Sequence, residues 1–215
     1  MKMTLDLMEQ IKKYPSEYSL VSDPKQITAN WVAWVNEDNH FILWASRKLT
    51  HQLQLAHRSV QVMILTKDRE LVLQKRNQQK ATYPGYWDMS ASGHVEAMDY
   101  YDHHADLNLE KVYQAVANKE VFEEIGIQTE LRKITAFKPM ANVHYEHFDF
   151  FIGEHSGPFT AQASEVEDIR SFSKAEMIDI LKNSQFYNAL DQNQQMKFTP
   201  SALFLTQWAI DHHLW

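Results

Sequence analysis

The chain has 215 residues, 44% of them hydrophobic, enough for one domain that buries about 70% of its unfolded surface, which excludes a disordered tail protein. Acidic residues outnumber basic ones, 28 to 21, and the net charge of −7 leaves no surplus of cations for a phosphate backbone, so no nucleic-acid partner is expected. The absence of cysteine excludes a disulfide scaffold, a thiolate metal site and a cysteine nucleophile or acid. No stretch approaches the roughly 18 apolar residues of a membrane span, and the acids of the first residues interrupt any leader-like apolar run. The expectation is a soluble cytoplasmic protein with no membrane partner.

Leu7, Met8 and Ile11 recur at helical spacing before Pro15, which predicts a short N-terminal amphipathic helix. Asn30 to Val35 and His40 to Trp44 flank the turn-forming Asn36 to Asn39 and predict a hairpin. Ser59 to Leu65 and Glu70 to Lys75 flank Thr66 to Arg69 and predict a second antiparallel pair. Between Asn77 and Gly93, Pro84, Gly85 and several polar residues mark a surface loop carrying Tyr83, Tyr86 and Trp87. Glu110 to Ile125 follows the helical period and stops at Gly126, where a C-cap belongs. Strands are expected near Ile127 to Phe137, Val143 to Ile152 and Val166 to Phe172. Ser173 to Glu176 supplies a capping box for a helix through Leu181. After the polar stretch Asn183 to Met196, Thr199 and Pro200 suit the N-cap and N1 positions of a last helix, Ser201 to His212. Trp31, Trp34 and Trp44 are assigned to core or homodimer contacts.

The chemistry concentrates in Lys119 to Ile127. On a helix turning about 100° per residue, Glu120 and Glu124 stand one above the other with Glu123 beside them, while Ala117, Val121, Phe122 and Ile125 share the remaining arc. Like charges at these spacings cost about 0.2–0.5 kcal/mol each, and the helix C-terminus disfavours anions further. The cluster therefore points to a resident cation, with a solvated acidic face as the competing interpretation. Carboxylate oxygens are the ligands preferred by Mg²⁺ and Mn²⁺, ions that bridge protein acids to substrate phosphates.

The segment from Glu120 to Ile127 resembles, residue by residue, the end of the Nudix box, G-x5-E-x7-R-E-U-x-E-E-x-G-U with U aliphatic. Upstream, Leu55 to Val62, Leu71 to Arg76 and Tyr83 to Glu96 are similar to the isopentenyl-diphosphate-isomerase-like branch of that superfamily; downstream, Glu165 to Glu176 and Phe198 to Pro200 are similar too. The resemblance spans roughly Ala29 to the C-terminus. It implies an α/β Nudix fold, a mixed sheet sandwiched between helices, with residues 1–50 an N-terminal helix and hairpin extension and 51–215 the Nudix domain.

Two departures stand out. Lys119 replaces the box arginine, keeping the charge but losing the planar fork that can hold a glutamate bidentately. The insertion Met98 to Asn108 separates Gly93 from the helix, so that Glu110 is displaced by one residue from the first box glutamate and Lys111 takes its strict place. The inserted Asp99, Asp102, His103, His104 and Asp106 are expected in a solvent-exposed loop.

The resemblance implies a choice between two chemistries. The isomerases move protons at a carbon–carbon double bond with a cysteine, and Ser92 stands where that cysteine would align; a hydroxyl is far too weak an acid for the step, so isomerisation is disfavoured. Hydrolysis of a diphosphate by metal-activated water remains, with Glu120, Glu123, Glu124 and the Gly93 carbonyl as the metal scaffold for Mg²⁺ or Mn²⁺. Catalytic roles fall to Glu123, Glu124 and Glu146, the last aligning with the branch's strand glutamate, with Glu165 and Glu167 as alternative bases. His57 and His94 align with metal-binding histidines of the isomerases and His51 lies near a third, although structural hydrogen bonding is the preferred role for them. Lys75, Arg76, Tyr83, Trp87 and His94 are the expected substrate-binding residues, for a small-molecule diphosphate. A ligand-binding or regulatory Nudix domain without turnover is the alternative function.

Overall fold

The computed structural model describes residues 20–21, 27, 30–140, 143–184 and 196–215. The expected N-terminal helix and most of the polar stretch after Asn183 lie outside them. Among the described residues no helix is long and apolar enough to cross a membrane.

A three-stranded sheet comes first. Strand β1 (Leu20–Val21) pairs with β3 (Phe41–Ser46), which pairs with β2 (Trp31–Val35) to form the expected hairpin. Ser46 then caps helix α1 (Arg47–Leu53), its side chain accepting from the Leu49 amide. The second sheet has the order β10-β5-β4-β9-β8, where β4 is His57–Leu65, β5 Leu71–Arg76, β8 Leu131–Phe137, β9 Glu146–Glu154 and β10 Val166–Phe172. The pairing of β4 with β9 is parallel and the others are antiparallel, so the sheet is mixed. Two short strands, β6 (Trp87–Asp88) and β7 (Ala91–His94), attach to β5 and β4 and occupy the end of what the sequence presented as a loop.

Every residue of β4 is buried, as a strand covered on both faces requires. Its alternate side chains enter separate cores. Val60, Val62 and Ile64 pack with Val112, Val116, Val121 and Ile125 of helix α2 (Leu109–Ile125), whereas Met63 and Leu65 pack with Ala202, Leu205 and Ala209 of the C-terminal helix α4 (Pro200–Asp211). Helix α3 (Lys174–Ser184) supplies Met177 to the second core. The architecture is the expected mixed sheet between helices. Trp34 and Trp44 are buried in the cores.

The local signals for caps hold. Gly126 ends α2 in the left-handed conformation, Thr199 caps α4 with Pro200 at its start, and Ser173 and Glu176 exchange the two bonds of a capping box. In the insertion Asp102, His104 and Asp106 are exposed, as expected, and Asp99 and His103 partly so, but the segment is not a simple loop. It forms two short 3₁₀ turns, Ala97–Asp99 and Tyr101–His103, and sends Tyr100 and Ala105 into the first core.

Candidate active site

A cavity of about 540 Å³ opens where β4, β7, β9, the C-terminal half of α2 and the start of α4 meet. Glu120, Glu123 and Glu124 line it together with Gly93, so the sheet and helix bring the expected metal scaffold to one place. The three acids differ in environment. Glu123 is exposed, Glu120 half-buried, and Glu124 only 5% exposed. Glu124 is locked: its Oε2 accepts from Gln74 Nε2 at 2.6 Å and from the Ser92 amide at 2.9 Å. Burial nevertheless raises its pKa to about 7, against the lowering effect of those two donors. Burial also raises Glu120 to about 8, with the Glu124 charge adding to the effect and Lys119 opposing it. Two neighbouring carboxyls whose ionised forms are disfavoured are what a divalent cation would relieve, and an all-oxygen donor set suits Mg²⁺ or Mn²⁺.

Gly93 fits this arrangement for a steric reason. A Cβ at this position would collide with the Glu120 carboxyl group. Lys119 reaches Asp99 of the insertion at 3.3 Å and Glu120 only at 3.9 Å, a point-charge contact in place of a bidentate clamp. Glu110 is exposed and outside the cavity, and Phe122, expected on the apolar arc, is 56% exposed.

A second cluster lies along the same cavity. The parallel register sets His57 opposite Glu146, and the antiparallel one sets Ser59 opposite His94. Glu146 Oε2 accepts from Ser59 Oγ at 2.6 Å, while Oε1 lies 3.6 Å from His57 Nε2 and 3.5 Å from His94 Nε2. His51 of α1 stands edge-on to both imidazoles. One ring nitrogen from each of the three histidines lies within 4.8 Å of the others, and the buried Nε2 atoms of His57 and His94 have no hydrogen-bond partner among the described residues. Burial lowers His57 to about 4, so its ring is neutral at pH 7, and the Leu55 carbonyl fixes Nδ1 as the donor at 2.7 Å, leaving Nε2 as a bare lone pair. Burial alone would raise Glu146, and the hydrogen bond that its Oε2 accepts from the Ser59 hydroxyl works against this and favours the carboxylate. Two ligands bound tetrahedrally at about 2.1 Å stand about 3.4 Å apart, close to the spacings of Glu146 from the two histidines. This donor set also fits a cation, of a softer kind than the three glutamates favour.

Not every expected substrate contact reaches the cavity. Arg76, Tyr83 and His94 line it; Lys75 does not, and pairs with Glu167 at 2.8 Å. Trp87 is buried in the second core against Phe172, with ring centroids 5.2 Å apart, so it is a packing residue and not a ligand contact. Of the alternative acids, Glu165 lines the cavity but is tied to Lys80, and Glu167 does not line it. Sequence reasoning passed over Ser59, Gln61, Gln74, Arg47 and Lys80. Strand pairing places Ser59, Gln61 and Gln74, while helix α1 carries Arg47 and the loop after β5 carries Lys80; nothing in their local pattern sets them apart.

The NUDIX domain model matches residues 55–192. The chain belongs to the Nudix family. An uncharacterised Nudix hydrolase of Pseudomonas aeruginosa is 27% identical to it over 176 residues, 81% of this chain and 90% of the relative. An isopentenyl-diphosphate Delta-isomerase of Photorhabdus laumondii is 24% identical over 139 residues, 62% of this chain and 72% of the relative, in keeping with the isomerase-like branch. The crystal structure of DR0079 from Deinococcus radiodurans superposes with a TM-score of 0.63 at 13% identity, covering 83% of this chain and 98% of the other, which shows the shared fold. This Nudix chain is a hydrolase-type enzyme, and Nudix hydrolases generally use divalent metals.

Proposed function

We propose that the protein hydrolyses a diphosphate linkage in a nucleoside diphosphate derivative or a similar small molecule, using Mg²⁺ or Mn²⁺. The observation that carries this reading is the desolvated Glu120 and Glu124 pair beside Gly93, in a cavity that also holds Arg76 and Tyr83. A bound divalent ion would neutralise phosphate charge and lower the pKa of an attacking water. Glu120, Glu123, Glu124 and the Gly93 carbonyl would hold that ion. Glu123, the most exposed of the three acids, would take the proton from water, and Arg76, which lines the same cavity, would bind a phosphate oxygen through its planar fork. The position of Glu146 beside His57 and His94, with His51 next to them, supports ligation of a second cation by this acid in place of the role of base. Tyr83 at the rim would stack on a planar group.

Isomerase chemistry finds no support, since Ser92 gives its amide to Glu124 and no thiol exists in the chain. The alternative of a binding domain without turnover draws on the loose contact between Lys119 and Glu120. A panel of nucleoside diphosphate compounds with Mg²⁺ and Mn²⁺ separates the two. Product release by the native protein and its loss in Glu124→Gln are expected; tight thermal-shift binding without product would favour the binding domain, and unchanged turnover in the variant would overturn the metal assignment.

A further inference from the structure

The start of α4 borders the cavity through Thr199 and Ser201, and an unbroken line of polar contacts runs from that helix to Arg76. An arginine carries five N–H donors. In Arg76, Nε donates to the Thr82 carbonyl at 3.1 Å, Nη2 to Thr82 Oγ1 at 3.3 Å and Nη1 to Asp88 Oδ2 at 3.0 Å, which among the described residues leaves two of the five for a ligand. Asp88 is only 5% exposed. Its other oxygen, Oδ1, accepts from Thr199 Oγ1 at 2.7 Å and from the Met89 amide at 2.9 Å. The Thr199 hydroxyl oxygen in turn accepts from the Ala202 amide at 3.1 Å, the N-cap bond of α4. Backbone bonds hold the cap in register with β6: the Trp87 amide donates to Lys197 at 2.7 Å and the Thr199 amide to Trp87 at 2.9 Å.

This line of contacts constrains a flexible side chain. Both oxygens of a buried carboxylate are occupied, one by the guanidinium and the other by the helix cap, so Asp88 cannot turn without breaking charge-assisted bonds. Arg76 is therefore held from behind, with its long side chain ordered before any anion arrives; ordering in advance removes part of the entropy that binding would otherwise cost.

We propose that Asp88 and Thr199 are positioning residues through which the C-terminal helix sets the Arg76 guanidinium to receive a substrate phosphate. The proposal rests on the diphosphate reading above. A second role for the same bonds, simply tying α4 to the sheet, would change stability without acting through Arg76, and a double-mutant cycle separates the two.

The probe is inorganic pyrophosphate with Mg²⁺, its affinity for the full chain measured by titration calorimetry and by melting temperature for each variant. Arg76→Met should weaken binding by about tenfold, the scale of one charge-assisted contact. Asp88→Asn should weaken it by a similar factor, and the double variant should bind no worse than Arg76→Met alone, within about twofold. Thr199→Val should lose about threefold and Thr199→Ser, which keeps the hydroxyl, should bind like the native protein. Native affinity in Asp88→Asn, or losses that multiply in the double variant, would overturn the proposal; if Asp88→Asn fails to fold, equal affinities of Thr199→Val and Thr199→Ser would do so. A native protein that binds no pyrophosphate would instead remove the phosphate role of Arg76, and this proposal with it.

Discussion

Gly93 and Glu120 are in such close approach that a single methyl group at residue 93 would occupy the space of the Glu120 carboxyl. The displaced atoms belong to the end of a flexible side chain and not to backbone, and Gly93 does not use a left-handed conformation. Gly93→Ala should therefore swing Glu120 away at little cost to the fold. The expected outcome is a stability change below about 1 kcal/mol by denaturant unfolding, with Mg²⁺ affinity reduced at least about tenfold. A large loss of stability with metal affinity intact would mean that the backbone moves instead.

The protonation of the cavity predicts how stability follows pH. Glu120 and Glu124 have pKa values raised from 4.5 to about 8 and about 7, so the folded state binds more protons than the unfolded one. Their contribution is complete below 4.5 and is lost as pH rises through 7 and 8. His57 has the opposite sign: lowered from 6.5 to about 4, it contributes fully above 6.5, a contribution lost as pH falls through 4. Between pH 6.5 and 8 the two carboxyls dominate, and the metal-free protein should lose on the order of 1 kcal/mol per pH unit. Melting curves across this range should flatten when Mg²⁺ is added and flatten in part in Glu120→Gln. A metal-free melting temperature that rises over the same range would contradict the environment assigned to these acids.

The two donor sets should load independently with different metals. Co²⁺, whose visible absorption reports nitrogen ligation and geometry, should bind at His51, His57, His94 and Glu146, and the band should vanish in His94→Ala while surviving in Glu120→Gln. Mg²⁺ added in excess should not displace it. Loss of the band in Glu120→Gln would mean that the two clusters bind one ion between them.

How much of this was legible depended on range along the chain. The caps at Ser173, Thr199 and Gly126 and the acid spacing on α2 rest on bonds within a few residues, and the sequence displays them directly. The second cluster requires β4 to lie parallel to β9 in a register that sets His57 against Glu146. A slip of one residue would turn these side chains to the other face, and no local pattern specifies the register. Trp87 and Phe122 misled for a related reason. Aromatic character alone says nothing of exposure: Trp87 entered a core because β6 pairs with β5, and Phe122 stayed in solvent because the helix turns Val121 and Ile125 inward instead.

Arg58 illustrates the same dependence and yields the last prediction. Its guanidinium is fully buried on β4, yet it joins two segments far apart in sequence: Nε donates to Asn39 Oδ1 of the hairpin turn at 2.7 Å, Nη2 to Asp106 of the insertion at 2.6 Å, and Nη1 to the Ala105 carbonyl. The insertion is thus anchored to the hairpin and not free in solvent. Asp106 is half exposed and Arg58 keeps its other acceptors without it, so Asp106→Asn should cost about 1 kcal/mol or less. Arg58→Met removes the shared donor and leaves the Ala105 carbonyl and the Asn39 side chain without it, which should cost about 3 kcal/mol by denaturant unfolding. Similar costs for the two variants would show that the ion pair, not the hub of neutral acceptors, holds the insertion in place.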